Sequence, residues 1–467
     1  MFDTIMGTNF ILAGDSYKQG HIFQGAKGTL RKHVNMVARK PFVDEKHGIS
    51  INEIVVLGPQ VVATILENTR ITDDMINEAE KEITEQGYDF PRAEWEYLRD
   101  LGRLPLVVKA VPEGTVVPVG HAIMTVENVD DRSPWLPAYI ETWSQDIVWT
   151  MSTIASKVRY LYKQTIAFCE ETGTPVEAAE YMIHNFGDRG AGGQDRAIMA
   201  GIAHALFFSG SDTLRANRYI KNIYYAQGPV LSSVDANEHS TVCENSDCEN
   251  RNDYNAFLMS LGMLERAVAR ANRGVGIPLI SALIDTFDDE RYVKEFVIKN
   301  YSRICSIGGK YVCRPDSGDA VKKPIEVVKW LMKGLRDKVR TSTTGHWMLP
   351  DNIGVIQGDG LKLWDFQRIF DLAKQEGIAA SNLVFGFGGG MTNGSTRDDF
   401  SFSMKATACM GPDRKWRDLQ KVPKTDPGKT SLKGRITDCN GKTLVPIYGS
   451  LMDLRSEFTD IRKRARA

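Results

Sequence analysis

The sequence predicts an α/β protein: a succession of βα units, forming either a closed barrel or an open doubly wound sheet, preceded by a small antiparallel sheet. Two observations carry this prediction. From about Tyr181 onward, short apolar runs recur, each closed by Gly, Asp or Arg and each followed by ten or more residues of helical spacing. Ahead of them, residues 104–129 alternate with a period of two.

In chain order, the antiparallel sheet is read from Leu106-Val107-Val108, Thr115-Val116-Val117 and the apolar run 122–126, with Pro112-Glu113-Gly114 and Gly120 as turns. Residues 135–168 have helical spacing and few breakers, which suits a layer joining that sheet to the βα series. The predicted strands of the βα series are 181–186, 277–284, 311–312, 353–356 and 383–385. Helices are expected at 194–208, 255–271, 290–299, 320–335 and 363–375. In either architecture a ligand site lies at the carboxyl ends of the strands.

Composition excludes several function classes. Of 467 residues, 42% are hydrophobic, and 58 basic residues nearly cancel 59 acidic ones. Disorder is thereby excluded, and no global field favours nucleic acid or an anionic membrane. The basic run 462–466 reads as a solvated tail. No window approaches a membrane span, and Met1-Phe2-Asp3-Thr4 lacks the pattern of a signal peptide, so a cytoplasmic protein is expected. The seven cysteines form no disulfide framework, and Cys243 and Cys248 lack a second ligand pair at zinc spacing.

Three successive strand ends share one chemistry: Arg314-Pro315-Asp316-Ser317-Gly318, Gln357-Gly358-Asp359-Gly360 and Gly386-Phe387-Gly388-Gly389-Gly390. Glycines let backbone N–H groups approach an anion, arginine adds bidentate charge, and aspartates can reach ribose hydroxyls or a magnesium ion. A ligand carrying phosphate and sugar is implied. The Gly386 to Gly390 loop lacks the acidic partner of a dinucleotide fingerprint, and no Walker A motif is present. Earlier in the chain stand His184-Asn185-Phe186-Gly187-Asp188-Arg189-Gly190, Gly210-Ser211-Asp212-Thr213 and Glu238-His239-Ser240-Thr241. A Phe beside an Arg can stack on a flat ring and contact phosphate, and Asp212 can accept from an amide N–H.

In this order and spacing, these motifs resemble the nicotinamide phosphoribosyltransferases, a type II phosphoribosyltransferase family. Asp15-Ser16-Tyr17-Lys18, Thr396-Arg397-Asp398 and the segment from Lys429 to Arg435 resemble the same family, so the likeness spans nearly the whole chain. It implies an irregular, incomplete α/β barrel at 151–394 and a second α+β domain built from 1–150 with 395–467 returning to it. The expected assembly is a homodimer whose partner subunit completes each site. The reaction implied joins nicotinamide to phosphoribosyl pyrophosphate, giving nicotinamide mononucleotide and pyrophosphate, with Mg²⁺ and with ATP as a stimulating co-substrate.

By this resemblance Phe186 and a Tyr17 from the other subunit sandwich the nicotinamide ring, Asp212 accepts from its carboxamide, and Ser281 and Arg189 lie nearby. Arg314, Asp316, Gly358, Asp359, Gly388 and Gly389 hold the ribose and 5-phosphate, while Arg39, Arg397, Ser403 and Lys405 surround phosphate and pyrophosphate. His239 corresponds to a histidine phosphorylated from ATP, with Asp285 as the candidate to fix its tautomer; the alternative is a His239 that only contacts the donor pyrophosphate. The sequence departs from the family pattern at Asn35 to Ala38, which lack aromatics, at Asn185, which replaces an acidic residue, and at Phe387, which replaces a small one. Nearby alternatives are a nicotinate phosphoribosyltransferase, disfavoured by Asp212, and a phosphate-binding barrel lyase, which would need a lysine or paired Glu/Lys base at a strand end.

Overall fold

The computed structural model describes residues 9–467, so the Met1 to Thr4 stretch lies outside the described residues. Two sheets organise the chain. One is parallel throughout, with strands ordered Asp235–Ala236, Leu279–Leu283, Lys310–Arg314, Ile353–Gln357, Leu383–Phe387, Ile183–Asn185 and Gly210–Ser211. Its two edge strands do not pair with each other, so it is an incomplete barrel. The inner strands are apolar on both faces, as a sheet covered by helices requires; Ile353–Gln357 is buried at all five positions.

All five predicted strands are present, with ends adjusted: Tyr181 closes a 3₁₀ turn (Val176–Tyr181), and the 311–312 run extends to Lys310–Arg314. The two edge strands escaped prediction because two residues carry no periodicity. The expected 290–299 helix is a short α-turn, Asp289–Arg291, that passes into π-helix over Tyr292–Ile298.

The second sheet is antiparallel and larger than predicted. Its six strands are ordered Trp416–Asp418, Ser403–Met410, Arg31–Val37, Ala122–Asn128, Leu106–Ala110 and Val445–Tyr448, so both ends of the chain contribute. The predicted Thr115-Val116-Val117 strand is not in it: Val116–Pro118 pairs with Glu53–Val55 in a two-stranded sheet, drawn there by the Gly114 and Thr115 backbone bonding Val56. Ala122–Asn128 and Leu106–Ala110 were predicted, whereas Arg31–Val37, beside them at the centre, was missed because polar residues occupy its core positions. His33 and Asn35 are buried, and each is matched across the sheet: His33 Nδ1 lies 2.7 Å from Glu127 Oε1, and Asn35 donates to Thr407 Oγ1 at 2.8 Å. A polarity count cannot see such pairing.

The Glu141–Glu171 helix joins the two parts. It buries Trp143, Ile147, Met151, Ile154, Val158, Leu161, Thr165 and Phe168 at helical spacing. Small hydroxyl residues on it take the backbone of the strand beside it: Ser152 Oγ both donates to Leu57 O (2.8 Å) and accepts from Leu57 N (3.0 Å), and Ser156 Oγ accepts from Val55 N (2.9 Å).

The basic terminus is not a solvated tail. Phe458–Arg466 is a helix whose Phe458, Ile461 and Ala465 are buried. Arg466 donates to Leu206 O (3.0 Å) and Phe207 O (2.6 Å), the carbonyls just beyond the Gln194–Ala205 helix, and Arg462 to Glu180 (2.8 Å) and Ser209 Oγ (2.7 Å). Carbonyls left open at a helix end attract cations, which is the physical reason the run docks.

Arg464 of this helix also donates to the carbonyl of Glu113, whose own carboxyl is buried and accepts from Gly58 N (3.0 Å) and Gln60 N (2.6 Å) at the start of the Pro59–Asn68 helix. Burial outweighs these donors and pushes the Glu113 carboxyl from its ordinary 4.5 up to about 7. The folded protein therefore holds this proton more tightly than the unfolded chain does. Its contribution to stability is full below the unfolded value and is lost as pH rises through about 7. Glu113→Gln keeps an acceptor without titrating. The variant is expected to match the parent's melting temperature at pH 5 and exceed it at pH 8, by at most about 3 kcal/mol of stability. An equal difference at both pH values would contradict this.

Candidate active site

Six of the seven strands of the parallel sheet deliver residues at their carboxyl ends toward one cavity of about 1280 Å³; Leu279–Leu283 lines none of it. Phe186 follows Ile183–Asn185, Asp212 follows Gly210–Ser211, His239 lies three residues past Asp235–Ala236, and Arg314 ends its own strand with Asp316 beyond it. Gly358 and Asp359 follow Ile353–Gln357, and Gly388 and Gly389 follow Leu383–Phe387. Arg189 and Glu238 complete the rim, 3.9 Å apart, with the Arg189 side chain 94% exposed and free to move onto a ligand.

Two glycines set the wall. A Cβ on Gly386 would lie 2.2 Å from the Phe186 ring, so only glycine lets that ring rest against the neighbouring strand. A Cβ on Gly358 would lie 2.5 Å from Asp316 Oδ1 and 3.1 Å from Arg314 Cδ, so this position keeps the Arg314 and Asp316 side chains in place.

Arg314 donates through one terminal nitrogen to the carbonyl of Asn237, while its buried Nε has no partner among the protein's own groups. Burial lowers the pKa of the guanidinium, and Asp316, Asp212, Asp285 and Glu238 oppose that loss. Burial raises the Asp316 carboxyl; Arg314 lowers it again, while Asp285 and Asp359 push it up. Asp285 sits behind the wall, accepting from Asp316 N at 2.9 Å and facing His239 Nε2 at 3.6 Å, an ion-pair separation longer than a hydrogen bond. Asp212 accepts from Ser233 Oγ through Oδ1 alone, which leaves Oδ2 available. His184, lying edge-on to Phe186 at 6.1 Å, has its pKa lowered by burial.

Six predicted site residues lie away from this wall. Ser281 is buried within Leu279–Leu283, its hydroxyl without a protein partner. Tyr17, Arg39, Arg397, Ser403 and Lys405 gather instead on the antiparallel sheet and its borders. Ser403 pairs with Val37 and Lys405 with Asn35 in the central ladder, Arg39 Nε donates to Ser401 O at 2.9 Å, and Lys405 lies 3.3 Å from Glu141. Within one chain the structure does not bring these five to the cavity.

Sequence reading passed over Asn237, Ser233 and the Asp188–Arg215 pair (3.5 Å) at the cavity mouth. Asn237 receives Arg314, accepts from Leu283 N (2.8 Å) and donates to Ser260 Oγ (3.0 Å). Asp188 stands in the His184 to Gly190 motif without a role assigned to it there, the others sit in no motif, and only the finished sheet shows what they hold. No three His, Cys, Asp or Glu residues group into a metal-holding cluster among the described residues.

Comparison with known proteins gives the same picture. Residues 181–448 match the family model described as the nicotinate phosphoribosyltransferase (NAPRTase) family. The chain is 30% identical over 452 residues to a nicotinamide phosphoribosyltransferase of Xanthomonas campestris pv. campestris (strain 8004), covering 95% of this chain and 90% of that one. A nicotinamide phosphoribosyltransferase of Acinetobacter baylyi is 34% identical over 367 residues, 73% of this chain and 68% of its own. In fold it is similar to a nicotinate-nucleotide pyrophosphorylase from Pyrococcus furiosus, with a TM-score of 0.56, 13% identity and coverage of 98% and 94%. It is likewise similar to human nicotinic acid phosphoribosyltransferase, with a TM-score of 0.50, 15% identity and coverage of 85% and 74%. The sheet that ends in phosphate-suited loops and the match over more than half the length agree: the chain belongs to the nicotinate phosphoribosyltransferase (NAPRTase) family.

Proposed function

We propose that this protein is a nicotinamide phosphoribosyltransferase, moving the 5-phosphoribosyl group of phosphoribosyl pyrophosphate onto nicotinamide for NAD biosynthesis. The observation that carries the donor half is the buried Arg314, whose Nε lacks a protein partner, in a wall shared with Gly358, Gly388 and Gly389. A buried guanidinium donor left open is costly unless an anion completes it. The observation that carries the acceptor half is Asp212, a carboxylate with one free oxygen in the same cavity as the Phe186 ring.

In the reaction, the bond from ribose C1′ to pyrophosphate breaks, with its electron pair leaving on the pyrophosphate. The ring nitrogen of nicotinamide gives its lone pair to C1′. No proton moves, so the site acts by holding charge rather than by acid–base transfer. Phe186 supports the acceptor ring, Asp212 receives its amide N–H, and Asp316 and Asp359 face the ribose; Arg314, with the backbone N–H groups of Gly388 and Gly389, holds the 5-phosphate. Mg²⁺ bound with the donor would supply countercharge to pyrophosphate, and Asp316 and Asp359 are the cavity carboxylates that would help to hold it.

The five residues on the antiparallel sheet belong to this reading through a homodimer. Tyr17 is 57% exposed, and Lys405 and Arg397 stand on the surface, from where they would enter a second copy's cavity as the other face of the ring pocket and as pyrophosphate ligands. ATP would phosphorylate His239, which is half-exposed at the cavity and faces the buried Asp285. A small rotation of His239 would close the 3.6 Å gap from Nε2 to Asp285 into a hydrogen bond that fixes the tautomer, leaving Nδ1 to take the γ-phosphoryl group as its bond to ADP breaks.

The test is product formation from nicotinamide, phosphoribosyl pyrophosphate and Mg²⁺, with and without ATP, in wild type and His239→Ala. Nicotinamide mononucleotide and pyrophosphate in equal amounts are expected, with ATP stimulation confined to wild type. No mononucleotide under any condition would defeat the assignment; equal stimulation of His239→Ala would defeat the phosphohistidine alone.

A further inference from the structure

The connection from Leu383–Phe387 to Ser403–Met410 carries Gly388 and Gly389 at its start and Arg397 in its middle, yet its regular structure is a single turn, Gly389–Thr392. A turn so short leaves carbonyls beyond it without intrahelical partners. Two cations from other elements take them. Arg196, in the first turn of Gln194–Ala205, donates Nε to Thr392 O at 2.7 Å and a terminal nitrogen to Ser395 O at 2.8 Å, and bonds Thr150 Oγ1 at 3.2 Å. Its guanidinium lies 5.0 Å from the Trp149 ring centre, which fixes its plane.

Lys157, buried on the Glu141–Glu171 helix, donates to Gly394 O at 2.7 Å and to Asp399 Oδ2 at 2.6 Å, and lies 4.2 Å over the Phe42 ring. Asp399 in turn accepts from Thr396 N (3.2 Å) and Thr396 Oγ1 (2.9 Å), the residue beside Arg397. Neither cation lines the cavity. Both instead fix the stretch between Gly389 and Arg397, and Lys157 also holds Asp399 just past it.

We propose that Arg196 and Lys157 are positioning residues for the phosphoribosyl donor, holding one connection so that Gly388 and Gly389 are set for the donor in their own cavity and Arg397 for the donor in a second copy's. The inference rests on the donor-site reading above. Arg196 is suited to it because a planar fork can bridge two carbonyls three residues apart, whereas an ammonium satisfies one at a time. Neither cation bonds Phe186 or Asp212; the connection meets the acceptor loop only where Thr392 packs on Gly187, Gly388 on the Phe186 backbone and Asn393 donates to Gly190 O, so the acceptor pocket should respond less than the donor site.

The experiment is steady-state kinetics in both substrates, with calorimetric binding of ribose 5-phosphate, for wild type, Arg196→Lys, Arg196→Met and Lys157→Met. Loss of charge-assisted bonds should raise the KM for phosphoribosyl pyrophosphate and weaken ribose 5-phosphate by about 10- to 100-fold, with Arg196→Lys intermediate. The KM for nicotinamide and kcat at saturating donor should stay within about threefold. Donor KM and ribose 5-phosphate affinity close to wild type would overturn the proposal. So would an equal loss in kcat and in both KM values, the mark of general loosening. Should Arg196→Met fail to fold, the other two variants decide by the same criteria. A wild-type protein that neither turns over nor binds ribose 5-phosphate would strike at the donor-site reading instead.

Discussion

Asp212→Asn is expected to lower kcat/KM for nicotinamide by about 10- to 100-fold and to raise that for nicotinate, so that the preference between the two narrows or reverses. The reason lies in what surrounds the carboxylate. Ser233 occupies Oδ1, and Asp212 N is itself bonded to Asn185 O at 3.0 Å, so the side chain has one orientation and one free acceptor. A carboxamide brings an N–H to that oxygen, whereas nicotinate brings a second negative charge. Asparagine keeps the shape, removes the repulsion and can turn its own N–H₂ to an incoming carboxylate. Steady-state kinetics with both acceptors checks this. An unchanged selectivity ratio would mean that Asp212 does not read the acceptor.

Arg314→Met is expected to have the larger effect on catalysis, lowering kcat/KM for phosphoribosyl pyrophosphate by about 1000-fold with little change in melting temperature. The methionine stem refills the volume, but the cation that balances Asp316 and meets the donor's charge is gone. Asp316 is already raised by burial and held down chiefly by Arg314. In the variant its carboxyl should therefore titrate higher still, so activity should fall off at a higher pH on the acid side than in wild type. A loss confined to thermal stability, with kinetics preserved, would assign Arg314 a purely structural role.

How much of this was legible in the sequence differs between the two sheets. The parallel sheet announced itself because a strand covered on both faces must be apolar throughout, as in Ile353–Gln357, and because its loops repeat glycine with Arg or Asp. The antiparallel sheet hid its centre, since His33 and Asn35 are buried polar residues satisfied by Glu127 and Thr407, each far away in sequence. The Phe458–Arg466 helix was misjudged for a related reason: its arginines read as solvated until the carbonyls of Leu206 and Phe207 are in place to receive them.

The site divided in the same way. Arg314, Asp316, Gly358, Asp359, Gly388 and Gly389 could be named because three successive strand ends repeat glycine with Arg or Asp in a family-like order, where one such loop alone would pass for a tight turn. Asn237 and Ser233 could not, because their role is to hold Arg314 and Asp212, and the sequence does not show which residue a buried amide or hydroxyl will meet. Arg196 and Lys157 lie on helices whose spacing explains them as ordinary helical residues; only the path of residues 388–402 gives them a task.

The central claim is that this cavity joins nicotinamide, rather than its acid, to a phosphoribosyl donor. The most direct measurement places equal concentrations of nicotinamide and nicotinate in one tube with limiting phosphoribosyl pyrophosphate and Mg²⁺, and separates the two mononucleotides by chromatography. The account predicts nicotinamide mononucleotide in large excess, with pyrophosphate released one for one; predominance of nicotinate mononucleotide would contradict it.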